Sequence, residues 1–109
     1  FFMIQLADPQ FGLWDYGGLN WRPEQSMLNR TVIEINRLKP RFIVMAGDMQ
    51  NWYQTNTKGE NGDLATGYTP NVGEMQVSSI MQSLSLLDPS IPLQAIMPGN
   101  HEVGDVPTL

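Results

Sequence analysis

Three short segments of this chain hold the groups with chemistry to offer. They are Asp8-Pro9-Gln10, Gly47-Asp48-Met49-Gln50-Asn51 and Gly99-Asn100-His101-Glu102. Together they present carboxylate, amide and imidazole, and the chain has no cysteine to add a thiolate. Such a donor set suits hard to borderline divalent cations (Mn, Fe, Zn or Mg) in high coordination, not a tetrahedral structural zinc. A carboxylate between two cations bridges them in hydrolytic two-metal sites, and Asp48, on the middle segment, is the candidate bridge. Two cations there would orient a phosphoryl group, offset its charge and acidify a bound water. A histidine beside them that is not a ligand can give a proton to the leaving oxygen. His101 is the only histidine in the chain, so that role falls to it.

Each segment alone has an ordinary explanation. Asp8 before Pro9 fits an Asx turn, and Gly47-Asp48 and Gly99-Asn100 are common turn pairs, Asn tolerating left-handed backbone. The elements before them give the segments their joint meaning. Residues 1–7 are a nearly continuous apolar run, as in a strand of a parallel sheet buried on both faces. Pro9 ends it. Residues 9–22 read as a glycine-bearing loop. From Pro23 to Leu38 the period becomes helical, with Leu28, Thr31/Val32, Ile35 and Leu38 on one stripe and Pro40 as the stop. Residues 41–46 form a second buried run, ending at Gly47-Asp48. Residues 49–73 are polar and turn-rich, a long connection whose Trp52, Tyr53 and Tyr68 are candidates to shape a site mouth. A second helix is expected from about Glu74 to Leu87, with Val77, Ile80, Met81, Leu84 and Leu87 inward and its methionines filling the core. Residues 92–97 form the third strand, which ends at the Gly99-Asn100-His101 segment.

The order strand, helix, strand, helix, strand predicts right-handed crossovers and an α/β fold on a mostly parallel sheet. Ligands of such sheets bind outside the carboxyl ends of the strands. Parallel strands bring those ends to one edge, so Asp8, Asp48 and Asn100-His101 are expected to converge there.

Composition narrows the function further. At 109 residues, 41% hydrophobic and 16% charged, the chain reads as part of one soluble globular domain. A net charge of −5 argues against binding nucleic acid or anionic membranes by bulk electrostatics. Phosphorylated substrates stay open to it, because bound cations reverse the local sign. No apolar run reaches the roughly 18 residues of a membrane span and no leader pattern opens the chain, so the expected compartment is the cytoplasm. Neither a GxGxxG nor a GxxxxGK[ST] follows the first strand, which leaves a nucleotide-binding α/β domain without support. The start at Phe1 and the stop soon after the last motif read as residues 1–109 being one part of a longer domain.

The three segments, in this order at strand ends, resemble the opening motifs of the calcineurin-like metallophosphoesterase superfamily: Asp-x-His, then Gly-Asp with a downstream Asn or Asp, then Gly-Asn-His-Asp/Glu. The resemblance covers essentially the whole chain as the family's N-terminal half and implies that half of its αββα sandwich. It makes Asp8 a ligand of the first metal, Asp48 the bridging carboxylate and Asn100 a ligand of the second. His101 becomes the non-ligand histidine facing the phosphate, and Glu102 supports the motif turn. Gln10 departs from the pattern, standing where the family has a ligand histidine. The stretch Ala7-Asp8-Pro9-Gln10-Phe11-Gly12-Leu13 is similar to a subgroup that itself has Gln there, the calcineurin-like phosphoesterase domain-containing serine/threonine phosphatases. The closing residues 99–104 and Pro107-Thr108 are similar to it as well.

What the resemblance implies is phosphomonoester hydrolysis on phosphorylated proteins, with two divalent metal ions and a metal-activated water. The family draws further histidines from its C-terminal half, including a Gly-His-x-His motif that this chain lacks, so the 109 residues alone are expected to be inactive. Two other readings share the motifs: a phosphodiesterase on nucleotides or lipids, and a non-catalytic binding module, which Gln10 motivates.

Overall fold

An apolar run that stops at Asp8-Pro9 forms β1 (Met3–Ala7). In the computed structural model, which describes residues 1–14, 20–51 and 72–103, it is followed by α1 (Arg22–Leu38), β2 (Phe42–Ala46), α2 (Val72–Leu84), β3 (Leu93–Met97) and a single turn of helix, α3 (Asn100–Val103). The strands make one sheet in the order β1-β2-β3, and both pairings are parallel. Met3 lies opposite Phe42 and Ala7 opposite Ala46. The expected α/β unit is therefore present, with the succession of elements along the chain and the parallel pairing read from the sequence.

Local chemistry explains the limits of the helices. Pro23 sits in the first turn of α1, where its missing N–H goes unneeded. At the other end Lys39 turns left-handed (φ 51°) and its N–H closes on the Ile35 carbonyl, and Pro40 bars continuation. Beyond α2 the spacing tightens: Leu86 and Leu87 N–H groups donate to the carbonyls of Ser83 and Leu84, three residues back. The helix thus stops short of the expected Leu87. In the turn that follows, the Ser90 N–H and hydroxyl both donate to the Asp88 carboxylate and hold its pKa below the ordinary value.

The buried stripe of α1 is Leu28, Val32 and Ile35, and α2 contributes Ile80 and Leu84. Both pack with Met45 and Ile43 of β2 and with Ile4, Leu6 and Leu93 on the same face of the sheet. Polar bonds fix the helices to each other and to the returning chain. Trp21 Nε1–H donates to Ser79 Oγ at 2.9 Å. The Asn36 amide donates to the Leu86 carbonyl and accepts the Asp88 N–H, both at 2.8 Å.

Two sequence expectations fail here. The strands are not buried on both faces: β1 alternates exposed and half-buried, and most of β3 is exposed. The sheet order runs in one direction, so two crossovers of the same hand place both helices on the same face. The opposite face, with Met3, Gln5 and Ala7, is left open. Nor do the α2 methionines fill the core; Met75 and Met81 are exposed, while Gln76 and Ser83 are buried among the apolar positions. Residues 52–71, including Trp52, Tyr53 and Tyr68, lie outside the described residues.

Ile43 has no exposed surface and packs in the core with Ile35 of α1 and Ile91, whereas Ile33 on the outer side of α1 is 57% exposed. In urea unfolding of the full-length protein, Ile43→Ala is expected to cost about 2–5 kcal/mol. Ile33→Ala should stay within about 0.5 kcal/mol.

Candidate metal centre

The carboxyl ends of the three strands lie side by side, and the chain beyond them stays hydrogen-bonded. Past β1 and β2 the parallel pairing continues: Asp8 N–H donates to the Gly47 carbonyl (3.2 Å), Gln10 N–H to Asp48 (3.0 Å) and Phe11 N–H to Met49 (3.1 Å). Asn51 N–H returns to the Phe11 carbonyl at 3.1 Å. The Asp8 and Asp48 segments therefore run as one ribbon beyond the sheet. The third segment is drawn in by a backbone bond from Gly47 N–H to the Met97 carbonyl at 2.8 Å.

Glu102 ties the segments together. One carboxylate oxygen accepts the N–H groups of Asp48 (2.8 Å) and Gly99 (2.6 Å). The other accepts Met49 N–H at 2.7 Å and, more weakly, Gln50 N–H at 3.4 Å. The support expected of Glu102 thus extends across two strand ends. His101 N–H donates to Asp48 Oδ1 at 3.0 Å, which fixes that carboxylate from the α3 side. The turns touch so closely that a Cβ at Gly47 would sit 2.7 Å from the Gly99 Cα, and one at Gly99 would overlap the Asp48 backbone and carboxylate. Both glycines are required by this approach.

Asp8, Gln10 and Asp48 all take left-handed backbone, with φ of 51°, 34° and 48°. Such positions cost on the order of 1–3 kcal/mol each and persist only where neighbours over-determine them. Here the ribbon bonds and Glu102 do so. The strain falls on the residues whose side chains carry the candidate metal chemistry.

His101 Nδ1 lies 2.9 Å from the Asn51 carbonyl. A carbonyl can only accept, so Nδ1 carries the proton of this bond and the ring is held from that side. Asp8 is exposed, Asp48 and His101 are half-buried, and Asn100 is exposed at the start of α3. All four predicted site residues thus reach the same edge. Among the described residues, however, no three His, Asp or Glu side chains are grouped closely enough to hold an ion. The donors present are oxygen-rich and of a type that suits a hard divalent cation, but by themselves they would fill only part of a coordination shell.

Two residues of the second segment are buried, though the sequence reading gave neither a metal-ligand or catalytic role. Asn51 is 7% exposed with an unpartnered Oδ1, and Gln50 is fully buried with neither amide atom hydrogen-bonded. A third, Glu24, sits on the buried stripe of α1 one turn before Leu28. A carboxylate continuing an apolar stripe was the available signal.

Known proteins similar to this chain are named serine/threonine-protein phosphatase CPPED1. Those of Danio rerio and Bos taurus are each 36% identical over 118 residues, and that of Homo sapiens is 34% identical. Each alignment covers 99% of this chain and 33% of the relative, so the chain spans about one third of the length of the curated relatives it matches. The chain is thus a relative of the calcineurin-like phosphoesterase domain-containing serine/threonine phosphatases over that third. No family model matches it, and no solved structure does.

Glu102→Gln replaces a two-oxygen acceptor with one oxygen and an NH2 group that faces N–H donors. It is expected to cost about 3 kcal/mol in chemical unfolding of the full-length protein, since bonds to a charged acceptor are worth about 1.5–3 kcal/mol each. A cost below about 0.5 kcal/mol would show that the two turns stay docked without it.

Proposed function

We propose that the protein of which these residues are part hydrolyses phosphoserine and phosphothreonine esters in phosphorylated proteins, at a centre of two divalent metal ions. The observation that supports this most directly is the edge itself. Asp8, Asp48 and Asn100-His101 end three adjacent parallel strands, and one carboxylate, Glu102, cross-links the last two. The names of the relatives point to the same substrate class.

In this reading Asp8 would hold the first ion, Asp48 would serve both and the Asn100 amide oxygen would serve the second, with Gln10 able to offer a further neutral oxygen. Bound divalent cations supply charge to offset the phosphoryl oxygens and acidify the attacking water. The chain's own residues do the rest. The bond from His101 N–H to Asp48 Oδ1 leaves that carboxylate one orientation, so its other oxygen is aimed before any ligand arrives. The Asn51 carbonyl holds the imidazole through Nδ1. A protonated Nε2 can then pass its proton to the departing serine or threonine oxygen, a step worth about 10²–10⁴ in rate. These residues span about one third of the length of the relatives they match, and on this reading further ligands are expected from outside them.

In the full-length protein supplied with Mn, Mg, Zn or Fe, His101→Asn is expected to lower kcat on a phosphoserine peptide by about 10²–10⁴. Asp48→Asn should remove metal-dependent turnover. Rates on a phosphate diester measured alongside decide the substrate class. A clear diester preference, or full activity in both variants, overturns the reading.

A further inference from the structure

Next to Asp8 the structure holds a cavity of about 190 Å³ between the end of β1 and the first three turns of α1. Leu6, Ala7, Pro9 and Leu28 give it carbon walls, and Asp8 and Glu24 are its carboxylates among the described residues. Glu24 is 4% exposed. Its Oε1 accepts the Trp14 N–H at 3.1 Å, while Oε2 is buried with no hydrogen-bond partner. A buried carboxylate with an unpaired oxygen is costly unless a donor or a cation reaches it. Nothing in the chemistry proposed above uses this group.

We infer that the cavity takes the lysine or arginine side chain of a substrate segment flanking the phosphorylated residue, with Glu24 as the residue that selects it. This rests on the phosphoprotein reading. A long basic side chain has the matching form: a methylene stem for carbon walls and a cationic head for a carboxylate. The volume is below the roughly 300–1,000 Å³ of sites for drug-sized molecules and suits one side chain. A third metal ion fits poorly, since hard cations take six or more oxygens and these walls are mostly carbon. Asp8 lies at the cavity wall, so an occupant there is close to the centre where the phosphoryl group is held. The chain's net charge of −5 also draws basic segments.

The test uses the full-length protein and phosphoserine peptides in which one lysine is moved from three residues before the phosphoserine to three after. Each peptide is matched to one with norleucine at the same place. kcat/KM and equilibrium binding by fluorescence anisotropy are both recorded. At one or more positions lysine is expected to gain about tenfold over norleucine, the size of one charge-assisted hydrogen bond. Glu24→Gln keeps the shape and the acceptor for Trp14 and should bring that ratio close to one. Thr31→Leu, which narrows the cavity from α1, should reduce it without touching Glu24. Ratios near one throughout in the unaltered protein, or a preference that survives Glu24→Gln, overturn the inference. So does a Glu24→Gln protein that slows on every peptide equally and binds metal more weakly. Lysine-selective binding without turnover would sink the phosphatase reading and leave the cavity as a basic-side-chain pocket of a phosphopeptide-binding site.

Discussion

The Glu102 carboxylate is the constraint on which the rest of this edge depends. A parallel sheet satisfies the N–H groups within its strands but not those in the turns that leave it, and three such turns meet here. Glu102 accepts from Asp48, Met49 and Gly99 at 2.6–2.8 Å. At about 1.5–3 kcal/mol for each bond to a charged acceptor, this outweighs the on the order of 1–3 kcal/mol of left-handed strain at Asp48. The close approach of Gly47 to Gly99 follows from the same clamp, since side chains at either position would hold the two turns apart. Asp48 then has its backbone fixed by Glu102 and one carboxylate oxygen fixed by His101 N–H, two independent anchors on one residue.

The sheet supplies the frame for that clamp and shows an asymmetry. Two crossovers of one hand along a sheet that grows in one direction pile both helices on one side. Trp21, Ser79 and Asn36 stitch that layer together, and the core of Leu28, Val32, Met45 and Ile80 lies beneath it. The site is indifferent to which face is covered, because it sits at the strand ends and not on either face. Its geometry is fixed by hydrogen bonds along the edge.

Much of this was legible in the residues. Apolar runs closed by Asp8-Pro9, Gly47-Asp48 and Pro98-Gly99 located all three strands to within a few residues, because each closes in a residue type that ends a ladder. Pro23 and Pro40 did the same for α1. Burial was less legible: a continuous apolar run does not say how many faces are covered, since that depends on the order of strands in space. Met81 was misjudged for a related reason. Its spacing placed it on the inner stripe of α2, but Gln76 and Ser83 took the buried positions, and periodicity alone does not resolve the phase of a short helix. At the site, residue types identified the candidate ligands, whereas the left-handed turns at Asp8, Gln10 and Asp48 were unreadable. Asp visits positive φ more often than most residues but not at a predictable position, and Gln10 has no intrinsic preference for it.

The distribution of unpaired polar atoms completes the picture. Among the described residues Glu24 Oε2, Asn29 Oδ1, both amide atoms of Gln50 and Asn51 Oδ1 are buried without partners, and all but Asn29 lie on segments near the strand ends. Burying such a group costs about 1–3 kcal/mol. A sequence selected for stability alone would replace Gln50 or Glu24 by an apolar residue of similar size, because each occupies a position that packs against the core. Local rules of packing are broken most readily where a site needs the polar atom. The same edge that concentrates backbone strain also concentrates unsatisfied polarity, and the clamp at Glu102 provides the stability that lets both persist.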